Sequence, residues 1–201
     1  MNAFGSYRKR QVIDFTELEE ESIFLITGPT GAGKTTIFDA ICYGLYGKAS
    51  GSERDQEAFR SHFSSADDYT YVQLTFSLKG KDYKIERSPK QWKKKTRGEG
   101  YTEEPASAAF YTQTHDQSWN LEATKINEVN EAIEHLIGLD YEQFKKMIMI
   151  PQGEFRKLIS ENSREREEVL QKIFHTSFYR KITERLKEQS TALKNDIQLL
   201  E

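Results

Sequence analysis

The sequence has one cysteine, four prolines and no long apolar run, and each shortage excludes a class of protein. A lone Cys42 cannot form an internal disulfide, and we expect it to be a buried, inert thiol. No stretch has the length and apolar character of a transmembrane helix, and the first residues do not resemble a secretory signal peptide. We therefore expect a reducing, cytosolic setting and no membrane partner.

Neither sign of charge dominates the composition. The 29 basic and 32 acidic residues give a net charge of −3, so no overall positive field marks the chain for nucleic acid or a membrane surface. Charged residues make up 30% of the chain and hydrophobic residues only 36%, which is lean for a compact globule. For 201 residues we expect one domain with an appendage that projects into solvent.

The most informative stretch is a glycine-rich loop between an apolar run and a helical pattern. Residues 23–26 are all apolar, which predicts a strand buried on both faces of a parallel sheet. Gly28, Gly33, Lys34 and Thr35 then satisfy the pattern G-x-x-x-x-G-K-[ST], and residues 36–46 have helical spacing. A chance match in a glycine-rich turn is the alternative, but the order of strand, loop and helix favours phosphate binding.

The residue types fit the chemistry of a nucleotide polyphosphate. A helix N-terminus offers unpaired N–H groups and a partial positive charge, and Gly31 and Gly33 let the loop curl around an anion. We expect Lys34 to reach the β- and γ-phosphates and the Thr35 hydroxyl to bind Mg²⁺. The predicted nucleotide-binding residues are Gly28, Pro29, Thr30, Gly31, Ala32, Gly33, Lys34, Thr35 and Thr36.

Strand patterns occur on both sides of this loop. Val12, Ile13 and Phe15 indicate a strand that pairs with residues 23–26. Alternation over residues 69–78 predicts a half-buried strand, and residues 82–87 form its hairpin partner. The third antiparallel strand is predicted at residues 108–113 and is followed by a turn at residues 114–120.

The basic segment at residues 89–105 has two interpretations. Its basic residues, with aromatic Trp92 and Tyr101 among them, are Lys90, Lys93, Lys94, Lys95 and Arg97. One interpretation is a loop that contacts DNA phosphates and stacks on bases. The other is a solvated hairpin tip, because runs of charge usually face water.

Helical spacing returns in the second half of the chain. Apolar residues from Ile126 to Ile137 predict a helix that Gly138 ends, and a short helix from Asp140 to Lys146 follows. Residues 147–150 form an apolar run typical of a central strand, and Gln152 comes directly after it. An amide can both coordinate a cation and hold a water molecule, although a surface turn is the alternative.

The chain ends in a long helical pattern. Residues 161–201 contain neither glycine nor proline, and apolar residues recur at intervals of seven at Tyr179, Leu186, Leu193 and Leu200. This pattern indicates a helix entering a coiled coil. We therefore predict two parts, an ATPase lobe at residues 1–160 and the coil helix at residues 161–201.

Three motifs together resemble one family. They are Ala-Phe-Gly-Ser-Tyr at residues 3–7, the extended loop and helix at residues 25–47, and Pro-Gln-Gly-Glu-Phe at residues 151–155. The chain resembles the N-terminal part of the SbcC family, the ATPase subunits of bacterial SbcCD nucleases and relatives of SMC proteins. The resemblance extends over essentially the whole chain.

This resemblance implies a fold and a function. The fold is an α/β P-loop NTPase, the N-terminal lobe of an ABC/SMC-type head, with an antiparallel β region and a C-terminal helix that starts a coiled coil. Such heads bind ATP and Mg²⁺, dimerise around them and control an SbcD-like nuclease subunit that acts on double-stranded DNA ends and hairpins in repair and recombination. Lys34 and Gln152 take catalytic roles, and Thr35 and Gln152 take metal-binding roles.

The sequence also departs from the family pattern. It has no aspartate-rich strand ending in a catalytic glutamate, no Ser-Gly-Gly signature loop and no Cys-x-x-Cys hook. In the family these lie beyond the first coil, so we expect an N-terminal fragment that is inactive alone and needs the C-terminal half of its head. Gly5 stands where some relatives carry an arginine.

Two other functions are compatible with the glycine loop. A self-contained small-molecule or nucleotide kinase would need an arginine-rich lid and a second substrate pocket, whereas the middle of this chain predicts antiparallel strands. A non-catalytic scaffold would carry the loop as a vestige, but the intact Lys34 and Thr35 argue against it.

Overall fold

A computed structural model of the chain describes residues 1–18, 23–50, 59–65, 67–95, 98–147, 182–183 and 185–192. Two units make up the chain, Met1–Glu142 and Gln143–Glu201, and the first contains the glycine loop and all strands of the described residues. The strands are β1 (Val72–Leu78), β2 (Lys81–Ser88), β3 (Gln91–Lys94), β4 (Tyr101–Glu104), β5 (Ser107–Gln113) and β6 (Trp119–Ala123). The helices are α1 (Lys34–Tyr46), α2 (Ile126–Ile137) and α3 (Tyr141–Met147).

The main sheet has four antiparallel strands in the order β1-β2-β5-β6. Side chains alternate between buried and accessible along β2, as expected for a sheet with one face on the core. Lys79 and Gly80 both have positive φ and form the two-residue turn that joins β1 to β2. A separate two-stranded hairpin, β3–β4, connects the second and third strands of this sheet.

The helices cover one face of the sheet. α1 packs on β1 and β2, and α2 packs on β5. Gly44 allows the close approach of α1, because an added Cβ would lie 3.3 Å from the Cβ of Leu74. The aromatic core contains Phe4, Tyr43 and Phe59, with the rings of Phe4 and Phe59 stacked at 5.4 Å. This core joins the first residues of the chain to α1.

Most of the predicted elements are present. The strands predicted at residues 69–78, 82–87 and 108–113 correspond to β1, β2 and β5, and the predicted helix ending at Gly138 corresponds to α2. The turn predicted at residues 114–120 is too long, because β6 begins at Trp119. Met147 belongs to α3, so the strand predicted at residues 147–150 does not start there, and residues 148–150 lie outside the described residues.

The strand predicted at residues 23–26 is wrong for the structure described. Ile23, Phe24 and Leu25 are 87%, 49% and 84% exposed and form no strand. A parallel strand requires neighbours that hydrogen-bond to it, and no described residue pairs with this segment. The strand predicted around Val12 is absent too, although the Phe15 ring lies 6.1 Å from that of Phe24.

The predicted C-terminal helix is described only in part. Residues 182–183 and 185–192 are helical, and the remainder of residues 161–201 lies outside the described residues. The coiled coil and the boundary at residue 160 therefore remain predictions. No helix in the described part of the chain combines the length and apolar character needed to cross a membrane.

A buried arginine joins α1 to the sheet. Arg87 of β2 is only 3% exposed. Its Nε donates to the carbonyl of Gly44 at 2.8 Å, and its Nη2 donates to Leu45 O at 3.0 Å and Asn130 Oδ1 at 2.8 Å. Carbonyls at a helix C-terminus carry partial negative charge, so they stabilise the guanidinium. Burial lowers the pKa of Arg87 to about 10, and the group stays protonated at neutral pH.

Replacing this arginine should destabilise the fold. We expect Arg87→Leu to lower the free energy of unfolding by about 3 kcal/mol, because buried carbonyls lose charge-assisted hydrogen bonds. Chemical denaturation followed by circular dichroism measures the change. Lys81→Leu at the exposed start of the same strand is the control, with an expected change within about 0.5 kcal/mol. Equal effects of the two substitutions would contradict the role of Arg87.

Candidate phosphate-binding loop

The loop before α1 is curled by its glycines. Gly31 and Gly33 have φ of 85° and 89°, in the left-handed region that favours glycine. Ala32 N donates to Pro29 O at 3.2 Å and closes a turn within the loop. α1 begins at Lys34 without a side-chain cap, and its first turn holds no acidic residue. The N–H groups of this turn are therefore left for an anion.

The Lys34 side chain folds back over the loop. Its Nζ donates to Gly28 O at 2.7 Å and to Pro29 O at 2.9 Å. Both acceptors are neutral carbonyls, and no ion pair to Lys34 occurs in the part of the chain that the structure describes. The positive charge of Lys34 is therefore uncompensated next to the helix N-terminus, which is the electrostatic requirement for binding a phosphate.

The first residues of the chain brace the loop from one side. Tyr7 Oη donates to Gly33 O at 3.3 Å, and Ser6 Oγ lies 3.3 Å from Thr36 Oγ1. A Cβ at Gly33 would lie 2.8 Å from Cζ of Tyr7, so the close approach requires glycine. Gly5 has φ of 55°, and a Cβ there would lie 2.5 Å from Cγ2 of Thr36. This contact explains why Gly5, and not a larger residue, occupies its position.

An acidic residue in α1 holds the segment that follows the helix. Asp39 is 3% exposed, and its Oδ1 accepts hydrogen bonds from Ser50 N at 3.0 Å and from Ser50 Oγ. Cys42 is fully buried in the same helix, as predicted. α1 is thus anchored along its length, and its N-terminus is held in a fixed position beside the loop.

The structure brings together the residues predicted from the glycine motif. Residues 28–33 form the loop, and Lys34, Thr35 and Thr36 begin α1. Gln152 lies outside the described residues, so its predicted metal-binding and catalytic roles remain untested. The contacts of Ser6 and Tyr7 were not predicted from the sequence. The Ala-Phe-Gly-Ser-Tyr motif was the signal available, because it marked these residues without saying what they touch.

A curled glycine loop that runs into a helix with a free N-terminus and a lysine folded over the loop defines the P-loop class of domains. The family model "AAA domain" matches residues 1–201, and the chain belongs to this family.

Its relatives carry one name, the SbcC subunit of the SbcCD nuclease. The chain is 41% identical over 196 residues to the protein of that name from Vibrio cholerae serotype O1, and the match takes in 98% of this chain and 19% of the relative. It is 38% identical over 195 residues to the Lactococcus lactis protein, with 96% of this chain and 18% of the relative matched. The Staphylococcus aureus MRSA252 protein is 34% identical over 189 residues, with 94% and 18% matched. The chain thus spans about a fifth of the length of these relatives.

Proposed function

We propose that this chain is the N-terminal, ATP-binding lobe of an SbcC-type ATPase head. The observation that carries the proposal is the curled loop at residues 28–33 with the unpaired Lys34 ammonium at the N-terminus of α1. The similarity to SbcC proteins supports this function over a small-molecule kinase. The site residues are those predicted from the sequence.

The loop residues have complementary tasks in binding Mg-ATP. The backbone N–H groups of residues 31–36 bind the phosphates, and Lys34 neutralises charge on the β- and γ-phosphates. The Thr35 hydroxyl, at the exposed start of α1, holds Mg²⁺, which neutralises phosphate charge when bound. Gln152 completes the metal site and orients the attacking water. Tyr7 and Ser6 keep the loop in its curled conformation and take no part in the chemistry.

Residues 23–26 supply the joint with the rest of the head. Ile23 and Leu25 are 87% and 84% exposed, which costs free energy in water unless another segment covers them. We propose that strands from the C-terminal half of the head pair with this segment and turn it into the buried parallel strand predicted from the sequence. That half also brings the signature loop and the catalytic glutamate absent here.

The assembled protein acts as an ATP-driven gate on DNA cleavage. Two complete heads dimerise around two ATP molecules, and the cycle controls an SbcD-like nuclease subunit at DNA ends and hairpins. The name that the relatives share, as SbcC proteins of the SbcCD nuclease, supports the nuclease partner and the place in repair and recombination.

Calorimetry and hydrogen exchange test this function together. We expect Mg-ATP to bind when the C-terminal half is supplied in trans, and amide exchange at residues 23–26 to slow as these residues enter a sheet. The chain without the second half is the reference for both measurements. Absence of heat under every condition would favour a scaffold, and phosphotransfer by the 201 residues alone would favour the kinase.

A further inference from the structure

The β3–β4 hairpin presents one face to solvent with an unusual set of side chains. Residues directly opposite in an antiparallel pair share a face, and the register sets Trp92 opposite Glu103 and Lys94 opposite Tyr101. These four residues therefore lie on the same face. Trp92 is 59% exposed and Tyr101 is 45% exposed, so two aromatic rings are available on a single surface.

The charge on this face is positive. Its carboxylate, Glu103, forms an ion pair with Lys90 at 2.7 Å and is already neutralised. Lys94 and Lys95 are exposed, and neither has a carboxylate partner in the part of the chain that the structure describes. Lys93 differs, because it lies on the opposite face and pairs with Glu104 at 2.9 Å.

The hairpin is held firmly at its base. Gln91 is buried, and its amide exchanges two hydrogen bonds of 2.8 Å with the backbone N–H and carbonyl of Thr70. Tyr101 Oη donates to Asp67 Oδ1 at 3.4 Å, which fixes the polar end of the ring and leaves its face open. A preorganised surface loses less conformational entropy when a ligand binds.

We propose that this face, formed by Trp92, Lys94 and Tyr101 with Lys95 beside it, binds an unpaired DNA strand. Exposed aromatic rings stack on bases of any sequence, and neighbouring ammonium groups contact the phosphates between them. An intact duplex hides the flat faces of its bases, whereas a frayed end or single strand presents them. The choice of DNA as ligand rests on the proposed function; the stacking surface and its charge are independent of it.

Tryptophan fluorescence provides a direct test on the intact chain. The chain has two tryptophans, so Trp119→Phe leaves Trp92 as the only reporter. We expect a single-stranded oligothymidylate of about 12 nucleotides to quench Trp92 and to bind more tightly than a blunt duplex of equal length. Unchanged fluorescence on saturation, or equal binding of the duplex, would overturn the proposal.

Matched substitutions separate stacking from general electrostatics. Trp92→Ala should weaken binding of a fluorescently labelled oligonucleotide by about 5-fold to about 150-fold, and Trp92→Phe should keep most of the affinity. Lys94→Ala should lower the slope of log affinity against log salt by about 0.7, and Lys93→Ala should leave it unchanged. Equal effects of the two lysine substitutions, or equal losses for Trp92→Ala and Trp92→Phe, would overturn the proposal.

The test is separable from that of ATP binding. Mg-ATP binding measured on the same variants should be unchanged, because the hairpin contains none of the proposed nucleotide-binding residues. Quenching without ATP binding would leave this inference intact and overturn the proposed function. ATP binding without quenching would do the reverse.

Discussion

Replacing Lys34 by alanine should abolish ATP-dependent DNA cleavage by the full-length protein with its nuclease partner. The ammonium group lies over the loop and is bonded only to the carbonyls of Gly28 and Pro29 within the described residues. A hydrogen bond to a charged group contributes about 1.5–3 kcal/mol, so nucleotide affinity should fall by about 10-fold to about 150-fold. Calorimetry measures the affinity, and a nuclease assay on duplex ends measures cleavage.

A second lysine of the same helix region supplies the control. Lys48 follows the C-terminus of α1, and its Nζ lies 4.7 Å from the centre of the Tyr141 ring. Lys48→Ala should retain ATP-dependent cleavage. Full cleavage by Lys34→Ala would refute the proposed site, provided that both variants melt at the same temperature as the parent protein.

Local features of the fold were predictable from the sequence. The alternation in β1 and β2, the Lys79–Gly80 turn and the stop at Gly138 each depend on a few neighbouring residues. The loop at residues 28–33 was predictable for the same reason, since a short motif specifies both its glycines and the helix that follows. Such features need no knowledge of distant parts of the chain.

Features that depend on distant partners were not predictable in this way. The apolar run at residues 23–26 has the composition of a buried strand, but a strand forms only where neighbours offer hydrogen bonds. The bracing of the loop by Tyr7 joins residues 26 positions apart, and the anchoring of Arg87 joins residues more than 40 apart. No periodicity in the sequence signals such side-chain contacts.

The contact between Tyr7 and Gly33 leads to the second large effect. Gly33→Ala places a methyl group 2.8 Å from the Tyr7 ring in a backbone conformation with φ of 89°. Left-handed backbone costs an alanine about 1–2 kcal/mol, and overpacking adds about 1–3 kcal/mol. Nucleotide binding has to supply this energy to restore the curled loop, so affinity should fall by roughly 30-fold to a few thousand-fold. Calorimetry with Mg-ATP measures the loss.

A double-mutant cycle identifies the cause of that loss. The ring of Tyr7 is the end of an exposed side chain and can move away, but only by giving up its hydrogen bond to Gly33 O. Tyr7→Ala combined with Gly33→Ala removes the clash and leaves the backbone strain, so the double variant should be more stable than the sum of the single changes by about 1–3 kcal/mol. Gly31→Ala is the matched reference for strain alone, because its φ is 85° and an added Cβ meets no atom within 4 Å. If Gly33→Ala destabilises the chain no more than Gly31→Ala, or if Tyr7→Ala gives no relief, then the first residues of the chain do not shape the loop.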